Sequence, residues 1–352
     1  MHFDRRSFLC KASGAALTSV AGITVCHPLS ALASTFTPPA GPRARMVYLN
    51  DLSGDIDGLF ATVHMALSPS IDLRAIVGTS AGGEAGKNNS AQDAANIASE
   101  MLAKMALKGK IKVHTGSAGR LSAPKDPMRS EGTQAIIDEA MRTDSQLPLF
   151  VTVGGGLTEV ASAVMLEPSI ADRFTLVWIG GGRPHPEGAN RENNFGVDPL
   201  AAQYVYNETH VPLWQVPSEV YQTCVISDTE LLAYVAPCGE IGKYLYEKLI
   251  GMSTMFKAAF NTGETWTLGD SPLVLLTALN DWVPSASKGP RGPFEYRRTG
   301  SSRYEEIFAP QLDSNGAALP QTSGRKIRLY SSVDTRLMFS DFFAKLQMNF
   351  PR

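Results

Sequence analysis

The sequence predicts an α/β protein built on an open, largely parallel sheet with helices on both faces. Three observations carry that prediction. From Met46 onward, short apolar runs alternate with helix-length segments. The runs are nearly continuous in apolar residues, as in strands buried on both sides. The connections between them are long enough to hold crossover helices, which parallel neighbours require.

In chain order, strands are predicted at 46–50, 72–78 ("DLRAIVG"), 111–114, 148–153 ("PLFVTV"), 174–180 ("FTLVWIG"), 212–216 and 326–331. Helices are predicted at 58–67, 90–107, 131–142, 157–166, 198–207, 228–236, 239–259, 271–280 and 336–346. Residues 284–325, rich in Pro, Gly, Ser and charge, interrupt the alternation and read as a surface insertion. No internal repeat is present.

The chain has 352 residues, 43% hydrophobic and 19% charged, the composition of an ordinary globular protein. Its first segment, "DRRSFLCKASGAALTSVAGITV", combines Arg5 and Arg6 with a weakly apolar run, and Ala31–Ala33 ("ALA") supplies a small-x-small cleavage pattern. Residues 1–33 therefore resemble a twin-arginine export signal, which implies the export machinery as a partner and a periplasmic or secreted location. The run is too short and polar for stable membrane insertion. Residues 34–45, "STFTPPAGPRAR", read as a linker, leaving 46–352 as one domain. Loss of 1–33 removes Arg5, Arg6, Lys11 and Asp4, so the net charge moves from −2 to −4. That balance argues against nucleic-acid binding, which needs a basic footprint. Cys224 and Cys238 are the cysteines left, without zinc-site spacing; an oxidising compartment permits a disulfide between them and nothing requires one.

Ligands in open parallel sheets bind outside the carboxyl ends of the strands. The first exit, "LNDLSGDIDG", holds Asp51, Asp55 and Asp57. Three carboxylates this close are either solvated at a helix start, where the dipole favours them, or gathered around a cation. An EF-hand loop is excluded, because its required Gly is Ile56 and its closing Glu is Thr62. The 148–153 exit carries "GGG" (Gly154–Gly156), which also suits a tight turn, and the 174–180 exit opens "GGGRPHPEGANRENNFGVD".

Four segments in sequence, "LNDLSGDIDGLFATVHMALSPSIDLRAIVGTSAG", "VTVGGGLTEVASAVMLEPSIADRFTLVWIGGG", "ENNFGVDPLAAQYVY" and "LGDSPLVLLTAL", resemble the inosine/uridine-type nucleoside hydrolases across about 46–280. The resemblance implies a Rossmann-like, nucleoside hydrolase-like sheet and calcium-dependent cleavage of the N-glycosidic bond of ribonucleosides. It implies Asp51 as metal-bound base, with Asp55 able to exchange roles with it. Gly154 would offer a backbone carbonyl to calcium, with Val153 one residue away, and Asp270 would ligate calcium from late in the chain. Asp57, Glu192 and Asn194 would hold the sugar, with Asn193 between the last two. Trp266 would stack on a base; packing is the plainer reading of that residue. The bland reading of Asp270 is a helix cap ahead of Pro272, and of the asparagines, loop formation.

Two departures stand out. The resemblance expects a second, metal-binding Asp at 58 and an imidazole at 269, and both positions are Gly. Among the remaining histidines, His64 reads as structural, and His185 is the one considered as a substitute acid. These departures keep two other functions open: a nucleoside- or sugar-binding protein, and a hydrolase of another ribosyl or glycoside substrate. The 284–325 stretch would either cover the site or form a contact in a homo-oligomer.

Overall fold

The computed structural model describes residues 41–82, 90–185, 192–260, 263–280, 288–289, 292–293, 302–313 and 317–351. The export signal and most of the expected linker lie outside the described residues. The seven predicted strands form, as β1 (Ala44–Asn50), β2 (Ile71–Gly78), β3 (Lys112–Thr115), β4 (Leu149–Gly154), β5 (Thr175–Ile179), β6 (Leu213–Val216) and, at the end, β10 (Lys326–Val333). Between β6 and β10 the chain adds β7 (Val225–Ser227), β8 (Thr265–Thr267) and β9 (Ser302–Phe308).

The main sheet runs β9-β10-β6-β5-β4-β1-β2-β3. Every pair is parallel except β9 with β10. Strand order reverses at β1, which pairs β2 on one side and β4 on the other. Such a reversal leaves a crevice outside the strand ends, because the flanking crossover helices go to opposite faces. Asn50, the last residue of β1, lies opposite Gly78 of β2 and Gly154 of β4.

Successive side chains of β1 point to opposite faces, and both faces are apolar. Met46 and Tyr48 join a core with α1 (Asp57–Ala66), α2 (Ala91–Lys104), α8 (Gly239–Phe260) and α10 (Thr335–Asn349), through Phe60, Met101, Leu245 and Phe342. Val47 and Leu49 join the other core with α3 (Glu131–Met141), α4 (Thr158–Leu166) and α6 (Pro199–Glu208), through Ile136, Val160 and Val205. Three shorter helices complete the frame of the site: α5 (Asn193–Val197), α7 (Ser218–Tyr221) and α9 (Pro272–Val274).

Two boundaries differ from expectation. β1 starts inside the expected linker, at Ala44, and Arg45 is buried. Its Nη1 donates to Glu139 Oε1 at 2.7 Å and its Nε to the Leu147 carbonyl at 3.1 Å. A strand arginine whose charge is paired can be buried, which a hydropathy reading cannot anticipate. Within the expected insertion, residues 302–308 form β9, an edge strand of the main sheet. Its sequence, "SRYEEIF", has charges where a buried strand would be apolar, as suits an edge facing water. Cys224 and Cys238 are both buried and form no disulfide with each other.

α1 and α10 are joined by a buried polar contact. His64 Nε2 lies 2.8 Å from Asp341 Oδ2, which also accepts from Lys345 Nζ at 2.5 Å. Burial, with the Lys345 charge as a smaller contribution against the Asp341 hydrogen bond, lowers the His64 pKa from 6.5 to about 4. Below pH 6.5 the unfolded chain binds a proton that the folded chain refuses, so stability falls as pH drops from about 6.5 to about 4. A shift of that size corresponds to roughly 3 kcal/mol. Urea midpoints measured at pH 7.5 and pH 4.5 should show this slope in the wild type and a flatter one in His64→Gln. Equal slopes would remove His64 as the cause.

Candidate active site

The exits of β1, β4 and β5 meet at the switch point. After Asn50, Asp51 and Gly54 close a tight turn, Gly54 N–H donating to the Asp51 carbonyl at 2.7 Å. That turn delivers Asp55 to the surface and Asp57 to the first residue of α1. A cavity of about 420 Å³ opens here, lined by Asp51, Asp55, Arg120, Glu192, Asn193 and Asn194 among others. Five of the residues expected from sequence thus share one depression.

The others are tied behind it. Asp57 Oδ2 accepts from the backbone N–H of Asp270 at 3.1 Å, while its Oδ1 accepts from Gly58 N–H at 2.8 Å. The Asn50 amide nitrogen donates to the Gly154 carbonyl at 2.9 Å and to Asp270 Oδ2 at 2.6 Å. It is the Gly154 carbonyl, rather than that of Val153, that Asn50 reaches. A Cβ at Gly154 would sit 2.4 Å from the Asp270 carboxyl, so the strand end must be bare for that carboxylate to approach.

Glu192 is committed to the frame. Its Oε2 accepts from Gly181 N–H at 2.6 Å and Phe195 N–H at 2.8 Å, and its Oε1 from Asn194 N–H at 3.0 Å and the Tyr221 hydroxyl at 2.8 Å. The carboxylate caps α5 and fastens it to the β5 exit, where Gly181 adopts a φ of 66°. Asn194 Nδ2 donates back to the Ile179 carbonyl at 2.8 Å, and Asn193 is exposed on the cavity wall. Trp266 sits in β8 opposite Ile226 of β7, part-buried against the apolar core and outside the cavity lining. His185 is exposed and also outside that lining.

Sequence reasoning missed Asn50, Tyr221 and Arg120. Asn50 reads as a strand end, and nothing local marks Tyr221, whose ring lies 2.9 Å from where a Cβ of Gly269 would be. Tyr221 therefore occupies the space beside position 269. Its phenol pKa is driven far above the usual value by burial, then by the Glu192 charge, and its hydroxyl donates to Glu192 Oε1.

The carboxylates are held at an electrostatic cost. Burial, then the Asp270 charge, then the Asp55 charge push Asp51 and Asp57 well above the ordinary carboxylate range. Asp270 is raised to about 7 by burial, with the Asp55 and Glu192 charges adding to it against the Asn50 hydrogen bond. Asp55, the most exposed of the four, is raised by burial against the N–H groups of Ile56 and Asp57. A cation among them would reverse the repulsion. Among the described residues, no three acidic, His or Cys side chains form a metal cluster on their own. A cation here must lean on neutral oxygens as well. Those are present: the Gly154 carbonyl, and the buried Asn50 Oδ1 and Thr79 Oγ1, neither with a hydrogen-bond partner. Such an all-oxygen set suits a hard cation of high coordination number, such as calcium.

Residues 50–326 match the family model described as inosine-uridine preferring nucleoside hydrolase. The chain belongs to that family. Stretches of this nucleoside hydrolase family member are 42% identical over 78 residues to an inosine-uridine preferring nucleoside hydrolase of Leishmania major, and 41% identical over 83 residues to one of Crithidia fasciculata. These matches cover 22% and 23% of this chain, and 24% and 25% of the relatives. The chain thus spans about a quarter of the length of the curated relatives it matches. The fold likeness is far broader. The solved purine-preferring ribonucleoside hydrolase of Gardnerella vaginalis superposes with a TM-score of 0.67 at 16% identity, covering 86% of this chain and 98% of that one.

Proposed function

We propose that the protein hydrolyses the N-glycosidic bond of ribonucleosides, yielding ribose and free base, with calcium as its cofactor. The observation that carries this reading is Asp51: a buried carboxylate at the end of β1, at the switch point, facing a cavity that also holds Asn193 and Asn194. Family membership supports the reaction class.

Asp51, Asp55, Asp270 and the Gly154 carbonyl would hold the ion. When bound, calcium would lower the pKa of a water and orient it. The work of the chain's own residues follows from their placement. Asp51 accepts a proton from the attacking water at its carboxylate. The water oxygen joins C1′, the C1′–N bond breaks with its electron pair going to the base nitrogen, and the base takes a proton from solvent while Asp51 later returns its own to solvent. Asn194 hydrogen-bonds the sugar and Asn193 lines its rim, while Asp57, which accepts from the backbone N–H groups of Gly58 and Asp270 behind the cavity, holds the Asp270 loop in place. Glu192, its acceptor sites taken by the chain, acts by holding α5 and Asn194 in place.

Ribose release from purine and pyrimidine nucleosides, with added calcium or with chelator, tests the proposal. Release that chelator abolishes is the expected result. Saturable nucleoside binding without product would favour a binding protein instead. That second reading draws on Tyr221, which lies beside position 269 where the resemblance expects an acid.

Export in folded form through the twin-arginine route is part of the proposal, supported by Arg5, Arg6 and the Ala31–Ala33 pattern. Among the described residues, no helix is long and apolar enough to cross a membrane.

A further inference from the structure

The acidic site lacks a side chain at position 58, and what stands in its place is Asn50. A Cβ built on Gly58 would lie 1.9 Å from Asn50 Oδ1 and 2.6 Å from its Cγ. The two positions therefore cannot both carry these groups: the amide of residue 50 occupies the entrance a side chain at 58 would need. Asn50 is 1% exposed, and its Oδ1 is buried without a hydrogen-bond partner. Leaving a buried amide oxygen unpaired is unfavourable, and native structures rarely tolerate it without a ligand, water or functional reason.

The other end of the same amide shows what surrounds it. Nδ2 donates to the Gly154 carbonyl at 2.9 Å and to Asp270 Oδ2 at 2.6 Å, two groups assigned above to the cation. One side chain thus holds two oxygens with its nitrogen and carries a third, its own buried carbonyl oxygen, that no protein group satisfies. An Asp at position 50 would lack the donor that holds Asp270. Any side chain at 58 would displace the amide.

We propose that Asn50 Oδ1 is a cation ligand, supplying the oxygen that a carboxylate at position 58 would otherwise supply. The inference rests on the cation-dependent reading of the site. Its chemical consequence is a site with one fewer negative charge than an Asp at 58 would give, in which a neutral amide completes the oxygen shell. Hard cations accept amide and carbonyl oxygens readily, with affinity tuned by the count of charged ligands.

Calcium binding to the purified, chelator-stripped protein, followed by titration calorimetry, separates this role from a purely structural one. Asn50→Ala is expected to weaken calcium binding at least tenfold. Were the amide only a clasp for Asp270 and Gly154, an oxygen restored at position 58 would not rebuild that clasp, and binding would stay weak. Gly58→Asp alone should bind poorly because the amide blocks it, whereas Gly58→Asp combined with Asn50→Ala should recover affinity to at least the wild-type level. Such recovery in the double variant is the non-additivity expected of two groups competing for one place.

Wild-type affinity in Asn50→Ala, or no recovery in the double variant, would each overturn the assignment. Should Asn50→Ala fail to fold by circular dichroism, the calcium affinity of the folded double variant decides. Ribose release assayed on the same samples keeps the two conclusions apart. Calcium binding with this pattern but no ribose release would leave the Asn50 assignment standing and remove the hydrolase reading. Ribose release without calcium binding would do the reverse.

Discussion

Asp51→Asn should lower kcat for ribose release by on the order of 10³-fold, with the fold intact. The amide keeps the size of the carboxylate at the end of β1 and loses both its charge and its basicity. Asp51 is 8% exposed, its backbone is closed into a turn by Gly54, and its carboxyl faces the cavity. Asp55→Asn makes the informative companion, because sequence left the two aspartates interchangeable. Asp55 is exposed, and its Oδ1 already accepts from Ile56 N–H at 2.6 Å. Its loss should therefore cost less than that of Asp51. Single-turnover ribose release with both variants would rank them; activity of Asp51→Asn within tenfold of wild type would remove Asp51 as the base.

Trp178→Ala should destabilise the protein by about 3–5 kcal/mol, the range for deleting a large buried aromatic ring. Trp178 is 1% exposed in β5, packs edge-on to Tyr206 with ring centroids 6.0 Å apart, and fills the space a Cβ at Gly180 would enter. It also reaches the site. Its Nε1 donates to the Gly155 carbonyl at 3.0 Å, fixing the loop that presents Gly154. Trp178→Phe should recover much of the packing but not that hydrogen bond. Urea unfolding of both variants at pH 7.5 measures the first effect, and calcium affinity the second. A loss below 1 kcal/mol in Trp178→Ala would show that the pocket collapses around the missing ring.

Much of the sheet was legible because its strands are buried on both faces, which leaves an uninterrupted apolar run in the sequence. β5, "TLVWI", is such a run, and it was placed within a residue or so. β9 was not, because an edge strand satisfies one side with water and can carry Arg303, Glu305 and Glu306. Arg45 escaped for the opposite reason: it is buried, and its partner Glu139 lies 94 residues further along. In the site, Asp51 and Asp55 were expected from a local acidic run and Asn193 and Asn194 from the family resemblance, and the four share one cavity. Glu192 was expected beside them, and its carboxylate turns inward to N–H groups of Gly181, Asn194 and Phe195, a use that shows only once the loop is folded.

By itself the sequence determined the alternation of strands and helices, the acidic first exit and the glycines at the second, since each depends on neighbours within a few residues. Tertiary structure alone decided how the gaps at 58 and 269 are filled. Asn50 takes the first and the ring of Tyr221 the second, 48 residues before Gly269 in the chain. A glycine records only that a side chain is absent. What occupies the vacated space depends on which distant side chain the packing of the sheet and its helices brings there, and no local pattern encodes that.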